Sequence, residues 1–214
     1  MENLGITKEQ ADKLLDEYIK DPITKLHMVE SEAIMRALAK RFYDNEGSAV
    51  ASSSAKATAD EEAMADKWGI IGLLHDIDWD LTKDDTAQHC VKCQEILREA
   101  GGSEFLIETI QSHGYGLDSI PSLKDKERST NLQYCLVAAE TLTGLIIAST
   151  LMQPDKKLSS LTLHSLKKKF KNKGFAARCN RELIRECEKA GIPLDEFLEI
   201  GLVALQGISD KLGF

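Results

Sequence analysis

Proline is scarce in this chain, four in 214 residues, and stretches of strict apolar and polar alternation are scarcer still. Those shortages exclude a fold built on turns and half-buried strands. Nearly every segment follows a 3.6-residue period instead, so the expected fold is all-α. Excess positive charge is missing too, since 27 Lys and Arg face 35 Asp and Glu for a formal net charge of −8. That balance argues against a surface made for duplex nucleic acid or an anionic membrane, while small substrates stay open because a local cationic pocket can sit in an acidic protein. Aromatic residues make up 6%, too few for a base-stacking platform, so Trp68 and Trp79 read as packing groups. The Met1 to Lys20 segment is charged throughout and has no apolar run of the secretory kind. The five cysteines are an odd number, which suggests reduced thiols in a cytoplasmic setting. Cys90 and Cys93 have CxxC spacing, but no second pair completes a four-cysteine zinc site, and they read as partly buried thiols on a helix. The longest apolar stretch, Cys135 to Met152, is interrupted by Glu140 and threonines and reads as a core helix, not a membrane span. No internal repeat of about 20 to 50 residues is present.

What is there begins with Thr7, a cap for a helix from Lys8 to Lys20. Pro22, at the tolerated first position, starts a second helix that runs to about Tyr43 and carries His27 at the edge of its apolar face. Gly47 to Thr58 is small and polar and reads as a mobile surface loop. A helix from Asp60 grows more apolar toward Leu74 and ends in His75-Asp76, after which Asp78 to Asp85 is rich in carboxylates. Thr86 is the candidate cap of a helix carrying His89, Cys93, Ile96 and Leu97 that stops at Gly101-Gly102. Ser103 starts the next, which ends at Ser112-His113-Gly114. Leu117 to Lys126 reads as a loop, followed by a helix from about Glu127 to Leu151 that holds Glu140. Beyond Pro154 come a basic run, Lys167 to Lys173, and two helices, Asn180 to Ala190 and Pro193 to about Lys211.

Of the five histidines, His27, His75, His89 and His113 each fall near the end or inner face of a different predicted helix; the fifth, His164, reads as structural. Asp76 stands beside one of the four, and Glu140 is the only acid between Asn131 and Gln153. An acid in such a helix must be paired, protonated or metal-bound, because burying an isolated carboxylate is costly. Imidazoles and carboxylates converging from several helices suit a divalent transition metal, Zn, Fe, Mn, Ni or Co, and not a calcium cage. Six donors exceed what one catalytic ion takes from protein and suffice for two ions bridged by Asp76.

The order His27, His75-Asp76, His89, His113 and an acid at 140 resembles the HD-domain metal-dependent phosphohydrolases, in the version with extra histidines for a second metal. The similarity covers most of the chain, through HMVESEAIMRALA, GIIGLLHDIDWD, the helix following His89, IQSHG, AAETLTGLI and SLKKKFKNKGFAARCNRE. These segments look like a subgroup of small HD hydrolases without an assigned substrate, and the donor order is similar to that of HD-type diadenosine tetraphosphate hydrolases. The resemblance implies a compact HD-domain helical bundle over residues 1–153, with a C-terminal helical extension over 154–214 packed on the same core. It implies a phosphohydrolase acting on a nucleotide or another small phosphate ester through metal-activated water, with His75 and Asp76 central to catalysis. One ion would be held by His27, His75, Asp76 and Glu140, the other by Asp76, His89 and His113. Arg36 and Lys83 are candidates for contact with the substrate phosphate, whereas the Lys167 to Lys173 run reads as structural. Asp78 and Asp80 either relay protons or stay in solvent. The C-terminal helices either cover the pocket or form a homodimer contact. The family's last donor is normally Asp, and Glu140 adds about 1.5 Å of reach. The alternative is therefore a nucleotide-binding sensor or scaffold that keeps the metal site without turnover.

Overall fold

Helix α1 (Lys8–Tyr18) starts where the Thr7 hydroxyl accepts the Gln10 amide and the Gln10 side chain returns to the Thr7 N–H, a reciprocal cap. Pro22 then opens α2 (Pro22–Gly47), and α3 (Ala55–Leu74) packs along it. The computed structural model describes residues 2–47 and 55–214, and side chains at 2–44 and 58–214. The loop expected from Gly47 to Thr58 is therefore trimmed by helix on both sides, and its remainder lies outside the described residues.

The approach of α3 to α2 depends on two glycines. A Cβ on Gly72 would stand 2.7 Å from the Ser31 carbonyl oxygen, and one on Gly69 would meet the Arg36 side chain at 2.7 Å. Without side chains there, α3 comes close enough to carry its C-terminal end against the His27 turn of α2. A short helix α4 (Trp79–Thr82) follows, fixed because the Asp80 carboxylate accepts the Lys20 and Asp21 amides at 2.6 and 3.0 Å.

The sequence-based helix through His89 is corrected. Thr86–Gln88 is a single 3₁₀ turn, His89 is extended, Cys90 is left-handed with φ 61°, and α5 (Cys93–Glu99) begins only afterwards. The reason is that its cap is not Thr86. The Asp78 carboxylate, fifteen residues upstream and just before α4, accepts the Cys93 amide at 2.9 Å and starts the helix there. Helix α6 (Glu104–Gln111) begins at Ser103, whose hydroxyl accepts the Leu106 amide, and passes into a 3₁₀ turn over Ser112–Gly114.

Helix α7 (Asn131–Leu151) starts four residues later than the pattern suggested, because Thr130 and Gln133 form the same reciprocal cap as at α1. By length and composition α7 is apolar enough to cross a membrane, but most of it is buried in the bundle. Then come α8 (Leu163–Lys171), α9 (Arg181–Arg185) with a 3₁₀ turn behind it, α10 (Leu194–Gln206) and α11 (Ser209–Leu212). The basic run is thus the helix α8, with Leu166 and Phe170 buried, which accounts for its lysines as an outward face. No strand occurs among the described residues; the fold is all-α.

One continuous core runs from Leu4 to Leu212 and takes residues from both sides of Pro154. Two arginines, the half-buried Arg128 and the buried Arg181, tie the C-terminal part down. Arg128 donates to the Ser112 and Tyr115 carbonyls, at 2.7 and 2.8 Å, and to both oxygens of Glu186, so it clamps the His113 turn to the segment after α9. Arg181 donates to carbonyls of residues 169–179, including Cys179 and Phe175 at 2.6 Å, and shapes the loop before α9 from within.

Candidate metal centre

Four imidazoles arrive from four directions. His27 projects from α2, His75 from the turn closing α3, His89 from the extended residue before Cys90, and His113 from the 3₁₀ turn after α6. Their Nε2 atoms meet in two pairs, His27 with His75 at 3.1 Å and His89 with His113 at 3.2 Å. Asp76 lies between the pairs. Its Oδ2 is 3.6 and 3.4 Å from the Nε2 atoms of His27 and His75, and its Oδ1 is 3.4 and 3.3 Å from those of His89 and His113. The residue groups His27, His75, Glu140 and His89, Cys90, His113 each have donor atoms within 4.8 Å of one another and could hold a metal ion.

The opposite ring nitrogens show which way the lone pairs point. Nδ1 of His75 donates to the Gly72 carbonyl at 2.8 Å and that of His113 to the Ile110 carbonyl at 2.6 Å. His89 donates from Nδ1 to Asp78 Oδ1 at 2.9 Å. His27 Nδ1 lies 2.9 Å from the Thr143 hydroxyl, whose own hydrogen goes to the Glu140 carbonyl at 2.6 Å, so the histidine is the donor. With Nδ1 protonated in all four neutral rings, every Nε2 presents a lone pair inward. While the rings are neutral, four nitrogens and two carboxylate oxygens therefore face one another with no hydrogen among them, and the positive charge this demands comes from a proton on His89 or His113 or from a metal ion. Such a cluster is repulsive unless positive charge enters it, and the outer hydrogen bonds are those that orient metal-bound imidazoles. Two nitrogens at about 2.0 to 2.1 Å from one ion stand about 2.9 to 3.4 Å apart, which both observed pairs match.

The electrostatics tell the same story. Burial opposes ionisation of Asp76, but His75 and the hydrogen-bonding His113, His75 and His89 outweigh it and hold the carboxyl well below the usual range. Burial likewise opposes charge on His89 and His113, yet Asp76 with Asp78 in one case, and Cys90 with Asp76 in the other, push both upward. At His27 burial wins, aided by His75, and the ring is held down to about 4. Burial also raises Glu140. The demand for positive charge is thus centred on Asp76. The His75 side chain is fully enclosed while that of His27 is 27% exposed, so solvent reaches the cluster from the α2 side.

His27, His75, Asp76, His89, His113 and Glu140 are brought together here. Arg36 is not brought to them: it lies about half a turn around α2 from His27 and pairs with Glu32 and Asp66 at 3.0 and 2.6 Å. Lys83 pairs with Asp80 at 3.3 Å, and Asp80 anchors backbone amides. Trp68 packs on Phe42, and Trp79 stands edge-on to His89 with ring centroids 5.0 Å apart. His164 is exposed on α8. Two contributors have roles other than those the sequence suggests, Asp78, which does not stay in solvent, and Cys90, which is more than a partly buried thiol. Asp78, fully buried, both orients His89 and caps α5, and Cys90, with a left-handed backbone, lies beside His89 and His113. Neither role has a local pattern, since each depends on a partner brought in by folding. No family model matches the chain, and no curated protein or solved structure matches it.

Proposed function

We propose that this protein is a metal-dependent phosphohydrolase of the HD type that cleaves a nucleotide or another small phosphate ester. The observation that carries the reading is Asp76, whose two oxygens are divided between two pairs of converging imidazoles. A shared carboxylate between two donor sets is an arrangement that keeps two cations close together, where they can stabilise both the attacking and the leaving oxygen of an in-line displacement on phosphorus. When bound, such ions supply Lewis acidity toward a phosphoryl oxygen and toward an attacking water.

The chain's own residues set up that chemistry. Gly72, Ile110, Asp78 and Thr143 fix the four rings before substrate arrives, so little reorganisation remains for the reaction itself. Asp76 stays ionised and joins the two halves. Glu140, the counterpart in this reading of the family's usual Asp, lies with His27 and His75 on the side where His27 is partly exposed. The order of the donors along the chain supports the same family.

The test is purified protein loaded in turn with manganese, iron, cobalt, nickel and zinc, and offered mono-, di- and dinucleoside polyphosphates. Phosphate release that depends on the divalent ion and vanishes in Asp76→Ala is expected. Metal-replete protein that binds nucleotide without product, and gains turnover in Glu140→Asp, overturns the hydrolase reading in favour of a sensor.

A further inference from the structure

Cys90 is the one residue of the cluster with sulfur, and its placement is built. Its Sγ is 3.3 Å from His113 Nε2, and it forms a mutually close donor group with His89 and His113. The residue is left-handed, φ 61°, a conformation that is unfavourable for non-glycine residues and persists where their surroundings enforce it. Those surroundings are present. The buried Gln111 amide donates to the Cys90 carbonyl at 2.7 Å and holds the peptide turned. Gly114 leaves the thiol its room, since a Cβ there would stand 2.8 Å from Sγ. Cys93, its CxxC companion, turns away and donates to the Cys90 carbonyl at 3.1 Å, so the pair is not a chelate of its own.

We propose that Cys90 Sγ is a ligand of the ion held by His89, His113 and Asp76 Oδ1, making this half of the centre selective for a thiophilic divalent metal such as zinc, iron or cobalt over manganese or magnesium. The inference rests on the metal-centre reading above. Sulfur at about 2.3 Å and nitrogen at about 2.0 to 2.1 Å from one ion are separated by about 3.1 to 3.6 Å, and the observed 3.3 Å lies inside that interval. Thiolate sulfur binds soft and borderline ions in preference to oxygen-seeking ones. On binding, the thiol gives its proton to solvent and the sulfur lone pair forms the bond. The other half, with His27, His75 and Glu140, has only nitrogen and oxygen donors, so the two halves differ in the ion they prefer.

The experiment is cobalt(II) loading of the full chain, read by metal analysis and absorption. A sulfur-to-cobalt charge-transfer band in the near ultraviolet is expected, lost in Cys90→Ser and kept in Cys93→Ser. Bound cobalt without that band, or a band that survives Cys90→Ser, overturns the sulfur ligand and leaves the metal centre standing. Protein that retains no cobalt overturns both. If Cys90→Ser does not fold, X-ray absorption on the zinc-loaded native chain decides: a sulfur neighbour at about 2.3 Å supports the assignment, and nitrogen and oxygen neighbours alone refute it.

Discussion

His27 lies on α2 and His75 directly follows the end of α3, two long helices that touch along Gly69 and Gly72, whereas His89 follows a 3₁₀ turn, His113 sits on another, and the two meet beside a left-handed cysteine. The first pair is placed by packing. The spacing of its ring nitrogens is inherited from the distance between α2 and α3, and Thr143 on α7 adjusts one ring. The second pair is placed by buried hydrogen bonds, from His89 to the Asp78 carboxylate, from His113 to the Ile110 carbonyl, and from Gln111 to the Cys90 peptide. Comparing them teaches that the same nitrogen separation can be reached by helix contact or by side-chain anchoring. The two are vulnerable to different substitutions.

Asp76 is the one residue that belongs to both halves, so its loss sets the upper bound. Asp76→Asn is expected to empty both positions and to lower phosphate release about 10³-fold or more, checked by elemental analysis and single-turnover assays. Retention of one full ion would break the idea of a shared carboxylate.

Asp78→Ala sharpens the comparison because it touches the turn-built half alone. His89 loses the acceptor that fixes its tautomer and α5 loses its cap, so metal affinity there is expected to fall about 10- to 100-fold. Thermal unfolding should report a stability loss of about 1 kcal/mol. Equal weakening of both halves in a competition titration would contradict the division.

Gly72→Ala strikes the helix-built half. The new methyl meets the Ser31 backbone, which cannot yield as a flexible side chain does, and the expected cost is about 1 to 3 kcal/mol in urea unfolding. Gly69→Ala meets the bendable Arg36 side chain and should cost less.

The smallest effect is in pH dependence of the metal-free chain, where the halves have opposite signs. His27 is depressed from the ordinary 6.5 to about 4, so the unfolded chain takes up its proton first. The stability that His27 contributes is therefore present above about 6.5 and lost as pH falls toward 4. His113 is raised well above 6.5, so its contribution is present below that value and lost as pH rises through its folded value. His27→Gln should flatten the acid limb of a stability profile and His113→Gln the alkaline limb.

Much of the helical plan was legible locally. Thr7, Pro22 and Ser103 mark helix starts by chemistry that acts within about one turn, and the structure uses each of them as read. The helix expected through His89 fails for the same reason, because Thr86 has the local look of a cap while the working one, Asp78, lies fifteen residues upstream of the amide it caps. Cys90 was set aside as a buried thiol, since nothing in a CxxC spacing signals a left-handed residue. Arg36 followed from charge alone, and its ion pairs with Glu32 and Asp66 depend on where α3 lies.

By itself the sequence determined the helical period, the order of histidines and acids along it, and the local caps at Thr7 and Ser103. Those are properties of neighbours within a few turns, fixed by backbone geometry. Only the tertiary structure decided which nitrogens present lone pairs to one another and how Asp76 divides its oxygens between them. Lone-pair direction is set by partners on the far side of each ring, and convergence to about 3 Å depends on interhelical distances that no single segment contains.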